Sequence, residues 1–473
     1  MPVVPQRSSG KVWLLSILLL VLAMVGSVSY IGYRQSVPGV RASVASPPRF
    51  IGRKTTLTVT LAAAAGSIAR AEVRVVQGGR TTVVLKQETP LGPRVDMPIM
   101  VEGATLGLRE GGATVEVWAR DDYWRPLRFD DRALLSFPVT VDLTPPAIEV
   151  LAATQYLYQG GGGLVAFRVK GGDQGQVRAG AFGFGGFPVG NTGVHVALIG
   201  LPWDMALDAP LTISAQDEAG NSASRGIPSE VRPRRFPKDT IDVKDSFLET
   251  KVPELLPQHP PGAPLIDGFL VINRDRRRQA EEEKRRIARK TADRPLWEGA
   301  FVQPRNTKVF SNFAETRVYS YRGKEIDTQV HLGYDLASVR QTPVPAANKG
   351  VVAFAGPLTI YGNTVVVDHG LGLQTLYGHL SRIDVKPGDA VERGQELGRS
   401  GSTGLAGGDH IHFEVLIGGI SVTPVEWWDA KWIRDHIDKP LREAGLPEIS
   451  GLESTAADAP PPEPRRPRSK ARR

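Results

Sequence analysis

The sequence predicts a mainly β protein. It comprises an antiparallel β-sheet domain, preceded by two β-sandwich modules, a helical linker and one N-terminal transmembrane helix. Three observations carry this reading. Short alternating apolar runs broken by Gly, Pro and Asp recur through most of the chain. One early stretch, Val12 to Tyr33, is apolar and uncharged over 22 residues. The 473 residues include no cysteine, so no disulfide framework is available and each module must be held by a packed apolar core.

The apolar stretch "VWLLSILLLVLAMVGSVSYIGY" is long enough to cross a bilayer as a helix. Arg7 and Lys11 precede it, which predicts an N-terminus in the cytoplasm and a translocated remainder, a single pass through the bacterial inner membrane. A cleaved signal peptide is the alternative, but its apolar core is normally shorter and no small-x-small cleavage site is evident. Residues 1–36 are therefore read as cytoplasmic stub and anchor, with Trp13 and Tyr33 at the two interfaces.

Residues 37–143 carry "KTTLTVTL", "AEVRVVQ", "TTVVLKQ" and "ATVEVWAR", closely spaced strands that suggest a sandwich. The paired prolines of "DLTPPAIEVL" cannot continue a central strand and mark a joint. A second β module then spans 144–232, with "LVAFRVKG", "VHVALIGLP" and "LTISAQDEAGN". The Pro-Pro joint and "AQDEAGN" resemble bacterial immunoglobulin-like repeats. The glycine clusters at 160–163 and 180–187 lack the Gly-Lys-Ser/Thr of a phosphate loop and are expected to be hairpin turns.

Residues 233–296 read as a linker. The first part is rich in proline and charge. "NRDRRRQAEEEKRRIARKTADR" follows, a solvated helix or one arm of a helical hairpin, with Glu281–Arg285 and Glu282–Arg286 in the favourable i,i+4 order. Mixed charges and the expected compartment argue against a nucleic-acid helix there. Residues 435–473 are expected to be a short helix and a disordered basic, proline-rich tail, a solubilising segment with no specific partner or else a contact for anionic polymers, lipids or nucleic acid.

Residues 297–434 return to short strands and contain the densest chemistry. "GGDHIHFEV" alternates His410, His412 and Glu414 with Ile411, Phe413 and Val415. On a strand the alternate side chains share a face, so both imidazoles point the same way, about 7 Å apart at their bases. That suits two ligands of one metal, or one ligand beside one acid–base group; a half-exposed strand with two solvated histidines fits equally. Without cysteine, a metal must use His, Asp or Glu. His331 and Asp335 of "HLGYD" would stand about 13 Å apart on a straight strand and converge only if the chain bends at Gly333; by themselves they read as an unrelated surface His and Asp. His379 of "LYGHL" falls near a strand end, and Glu414 is either a carboxylate orienting a histidine or a surface group.

"HLGYD", "TPVPAANKGVVAFAG", "YGNTVVVDHGLGLQTLYGHL", "VKPGDAVERGQELGRSGSTG" and "HIHFEV" occur in this order over about 100 residues, from His331 to Pro424. Together they resemble the lysostaphin/LytM-type zinc endopeptidases, which cut peptidoglycan cross-links and have the duplicated hybrid motif fold. The resemblance implies Zn2+ held by His331, Asp335 and His412. It makes His410 the general base and His379 a helper that orients water or stabilises the oxyanion. Three protein ligands would leave one tetrahedral corner for water, whose pKa zinc lowers towards ~7. His369 matches a position read as structural, and His195, His259 and His436 stand alone. Gln341 replaces a glycine common in the family, and Gly408-Asp409 replaces Gly-Pro; both put loop shape and substrate preference in doubt.

The expected function is a membrane-anchored zinc metalloendopeptidase acting on peptidoglycan stem peptides. The β modules would hold it towards the wall and offer surfaces to cell-envelope proteins. The alternatives are a catalytically silent regulator that activates other wall hydrolases and a scaffold that binds the wall without cleavage. The first departs from the expected set by losing metal ligands, which are all present here.

Overall fold

The computed structural model describes residues 9–127, 132–337 and 339–452. Arg7 and the basic tail lie outside the described residues. The chain divides into two compact units: 1–146 with 216–222, and 147–215 with 223–473.

The first unit begins with the helix Ser9–Ser36, whose segment Val12–Ser36 is long and apolar enough to cross a membrane. A sandwich follows. The strands Arg41–Ser43, Thr55–Ala62 and Arg94–Val101 form one sheet; Phe50–Ile51, Leu135–Val141, Gly111–Asp121, Ile68–Gln77 and Arg80–Gln87 form the other. Alternation fills the space between them: Leu57, Val59 and Leu61 from one face meet Val73, Val75, Val115 and Val117 from the other. The turn 216–222 closes on this unit, where Asn221 Oδ1 accepts from Arg53 N at 2.6 Å and Nδ2 donates to Asp142 O at 2.8 Å.

The second unit contains a second sandwich of two four-stranded sheets, centred on Gly162–Lys170 with Val194–Gly200 and on Gln176–Ala179 with Leu211–Gln216. Its apolar interior is continuous with that of the C-terminal domain, from Leu164 and Ile199 through Ile417 to Trp427. Two glycines in register, Gly162 and Gly200, make the approach possible, because a Cβ on either would meet Ile417 at 2.9 or 3.1 Å. Glu426 seals the joint: its carboxylate accepts from Gly162 N at 2.8 Å and from Arg234 Nη2 at 2.6 Å. The cluster at 160–163 is thus a turn running directly into a buried strand, not a hairpin, and its glycines serve close packing.

The C-terminal domain is built on an eight-stranded antiparallel sheet. Its order is Lys308–Ser311, Tyr334–Ala337, Ile411–Ile417, Leu373–Gly378, Asn363–Asp368, Gly350–Pro357, Ala390–Val391, with Ile420–Val422 also paired to Ile411–Ile417. Trp297, Phe301 and Trp427 pack edge to face or tilted beneath it, with centroids 5.7–6.0 Å apart.

The segment expected as a linker is folded. Lys238–Asp242 pairs in parallel with Glu315–Tyr321, and the helix Asp245–Leu255 buries Leu248 and Val252. The charged helix begins earlier than expected, at Leu265, and passes through a π turn, Ile272–Arg276, into Arg277–Ala288. It is not solvated all round. Asn273, Ala280, Lys284 and Ile287 recur at intervals of 7, 4 and 3, a helical stripe that is buried. Charge hid the stripe in the sequence because one member is a lysine. Its ion pairs within the helix are Arg278–Asp275, Lys284–Glu281 and Arg286–Glu283, all at i,i+3, in place of the expected Glu281–Arg285 and Glu282–Arg286.

Candidate metal centre

Strand register assembles the site. On the strand Ile411–Ile417, His412 is paired with Asp335 on one side and with Gly378 on the other, and His379 follows Gly378. His331 ends the neighbouring hairpin strand, opposite Glu315. The chain turns between His331 and Tyr334, as the sequence requires for convergence. Gly333 is needed there for closeness: a Cβ would lie 2.6 Å from Phe413 O and 2.7 Å from His412 Nε2.

His331 Nε2, Asp335 Oδ1 and His412 Nδ1 converge. The two nitrogens are 2.9 Å apart, and they lie 2.9 and 3.0 Å from the carboxylate oxygen. All three side chains are buried. Each imidazole is oriented by its other nitrogen. His331 Nδ1 donates to Asn312 O at 2.9 Å, and His412 Nε2 donates to Glu414 Oε1 at 2.9 Å. Both rings therefore turn lone pairs inward beside a carboxylate, and such a donor set repels itself unless a cation or a proton stands at its centre. Donors around a tetrahedral ion with bonds of about 2.0–2.2 Å stand about 3.3–3.5 Å apart, so opening by about half an ångström suffices. The residues present fit a divalent metal.

The charges around the site are arranged accordingly. Burial pushes the His331 pKa down to about 4, against the pull of Asp335. Burial also opposes charge on His412, but the bonds to Asp335 and Glu414 outweigh it and raise its pKa. Burial would raise the Asp335 pKa, and the surrounding histidines overcome it, holding the carboxyl well below the usual range. The outer oxygen of Asp335 accepts from Arg317 Nη2 at 2.7 Å.

Behind His412 lies a buried network that the sequence did not disclose. Glu414 Oε2 accepts from Lys284 Nζ at 2.8 Å and from Ser421 Oγ at 2.6 Å. Lys284 also donates to Tyr361 Oη at 3.1 Å and pairs with Glu281 at 2.7 Å. Burial opposes its charge, but Glu281 and Glu414 more than compensate and raise its pKa. Glu414 is thus a fully buried orienting group, and its cation comes from the supposed linker helix. Neither Arg317 nor Lys284 sits in a motif: Arg317 offers only the strand face it shares with Glu315, which does not point to Asp335, and Lys284 only the helical stripe.

His410 and His379 stand beside the three converging groups. His410 Nδ1 donates to Gly408 O at 2.8 Å, which leaves Nε2 as the basic nitrogen, 3.4 Å from Asp335 Oδ1. His379 Nδ1 donates to Thr403 O at 2.8 Å, and its ring centroid is 4.8 Å from that of His410. His379 adopts φ +64°, an uncommon conformation for a non-glycine residue, and its N–H donates to Tyr361 O at 2.7 Å. His369 is elsewhere: it is buried and bonded to Lys349 O and Thr375 Oγ1 at 2.6 and 2.8 Å.

All five residues open into a cleft of about 860 Å³. One wall is the segment 239–251, fixed to the loop before His410 by Lys251 Nζ donating to Ser402 O at 2.6 Å. Phe310 stands at the mouth, 66% exposed, with its ring centroid 6.1 Å from that of His410.

Residues 329–424 match the model of peptidase family M23. The DD-carboxypeptidase/endopeptidase Mpg of Neisseria meningitidis serogroup B is 42% identical over 97 residues, which are 20% of this chain and 22% of that protein. The peptidoglycan DD-endopeptidase ShyA of Vibrio cholerae serotype O1 is 37% identical over 119 residues, 25% of this chain and 27% of that protein. The match therefore spans about a quarter of the length of these curated relatives. Among solved structures, the catalytic domain of the antimicrobial peptidase lysostaphin from Staphylococcus simulans is similar with a TM-score of 0.23 and 29% identity. The likeness covers 26% of this chain and 92% of that one.

Proposed function

The chain carries a peptidase family M23 domain, and from that premise we propose that it is a zinc endopeptidase cutting peptide cross-links of peptidoglycan. The N-terminal helix would anchor it in the inner membrane, with the catalytic domain on the periplasmic side. The observation that supports this most is the convergence of His331, Asp335 and His412 within hydrogen-bond distance of one another, in a cleft that also holds His410. The relatives' names make the D,D cross-link the first bond to test.

In this reading His331 Nε2, Asp335 Oδ1 and His412 Nδ1 hold Zn2+. When bound, the ion supplies the Lewis acidity that makes water nucleophilic at neutral pH. His410 is the general base: with its Nδ1 proton engaged by Gly408 O, Nε2 is free to take a proton from the attacking water and pass it to the leaving amine. His379 gives its Nδ1 proton to Thr403 O, so its Nε2 presents an acceptor. Of the two roles the resemblance allows it, that favours orienting water. Glu414, held by Lys284, fixes the His412 ring, and Arg317 fixes Asp335. The presence of all five expected residues ranks the silent-regulator alternative below this reading.

The test is digestion of purified sacculi followed by mass spectrometry of the muropeptides. Cross-linked dimers should convert to monomers with wild type and persist with His410→Ala, which should still bind zinc. Persistence of dimers with zinc-loaded wild type would leave the regulator reading in its place.

A further inference from the structure

The first unit contains an apolar loop that the peptidase reading leaves without a role. The residues Tyr123 to Leu127, between two strands of the first sandwich, grip the end of the N-terminal helix. Arg34 lies over the Tyr123 ring, 3.8 Å from its centroid, and its Nε donates to Trp124 O at 3.1 Å. Gln35 forms a two-way bridge to the Leu127 backbone, donating from Nε2 at 2.8 Å and accepting at Oε1 at 3.1 Å. Arg125 donates to the carbonyls of Val37 and Pro38 at 3.1 and 2.8 Å and is itself paired with buried Asp121 at 2.7 Å. The chain leaving the helix is therefore clamped to the loop on both sides.

The clamp leaves the apolar side chains outward. Trp124 is 53% exposed and Leu127 62% exposed, and the Trp124 ring stacks on Tyr30 with centroids 6.5 Å apart. A hydrocarbon core takes about 20 helical residues, which from Val12 reaches the neighbourhood of Ile31. Tyr30 then lies at the far interface, where aromatic rings and a snorkelling arginine such as Arg34 are favoured. Trp124, stacked on Tyr30, is at the same depth.

We propose that the loop Tyr123–Leu127 is a second membrane contact, inserting Trp124 and Leu127 into the headgroup and upper acyl region beside the anchor. The sandwich would then sit at a fixed attitude on the bilayer and would not swing on a tether. The occupant is the lipid interface, because the loop continues the belt that the helix itself places there. This inference rests on the anchor reading.

The absence of cysteine makes the test direct. The full-length chain is reconstituted into phosphatidylethanolamine/phosphatidylglycerol vesicles with a single spin label at Leu127→Cys, Trp124→Cys or Leu20→Cys. Power-saturation EPR then compares collisions with oxygen and with a water-soluble nickel chelate. Oxygen should dominate at Leu20, and oxygen should also exceed nickel at Leu127 and Trp124, at shallower depth. Nickel dominating at both loop sites while Leu20 reads as lipid would overturn the loop contact alone. Low collision with both agents at the loop would also overturn it, by showing a protein surface over the loop. Nickel dominating at Leu20 would overturn the anchor and the loop contact together.

Discussion

Lys284 shows what a single side chain contributes to the candidate metal centre. It is fully buried, and it balances Glu414, which in turn holds His412. Lys284→Met removes the cation from two carboxylates, and breaking such a buried pair costs about 3–5 kcal/mol. It should also weaken zinc binding about 10–100-fold through the freed His412 ring. Adding Glu414→Gln should recover much of the stability; thermal unfolding and zinc titration measure both. Unchanged zinc affinity in Lys284→Met would remove the lysine from the site. His369 gives a separate pH signature. Burial holds its pKa at about 4, below the ordinary 6.5, so the unfolded chain binds the extra proton first. Stability should fall as pH drops from about 6.5 to about 4 and level off below, by about 3 kcal/mol from this group. His369→Gln should flatten that part of the pH–stability curve, and an unchanged slope would contradict the assignment. The five residues that meet in the cleft were legible as candidates because each sat in a short motif. Lys284 and Arg317 were not, because a charged side chain on a strand or helix gives no sign of which charge it meets in the fold.

At the scale of elements, strand alternation was legible in the first sandwich, since period-two burial leaves its mark directly in composition; in the second, Gly162–Lys170 and Val194–Gly200 are buried on both faces over most of their length. The region 233–296 misled because proline and charge usually mark solvated chain. Here the region folds as a parallel strand, two packed helical segments and a buried stripe, and its segment 239–251 supplies one wall of the cleft. The wall predicts a measurable dependence. Leu248→Ala, which empties a buried position in the helix Asp245–Leu255, should destabilise by about 2–5 kcal/mol. Denaturant unfolding measures it, and a neutral result would mean that the helix is not docked. The glycines at 162 and 200 misled similarly, because close backbone approach to Ile417 cannot be told from a turn in one sequence.

At the scale of the molecule, the second sandwich and the peptidase domain share an apolar interior, so a fragment of 297–434 would expose Ile417 and Trp427. That fragment should melt about 5 °C or more below one spanning 147–452, or fail to stay soluble; equal melting temperatures would show the shared core to be dispensable. No pattern in the sequence announced this junction, because the residues that meet across it are separated by more than two hundred positions, as Gly162 and Glu426 are. The proposed activity depends on three donors from separate segments meeting around one divalent ion. X-ray absorption at the zinc edge of the detergent-solubilised full-length chain measures this directly. The expected result is one zinc per chain with two imidazole nitrogens and carboxylate oxygen at about 2.0–2.2 Å, and loss of the signal in His412→Ala. A spectrum without imidazole scattering, or one unchanged by His412→Ala, would contradict it.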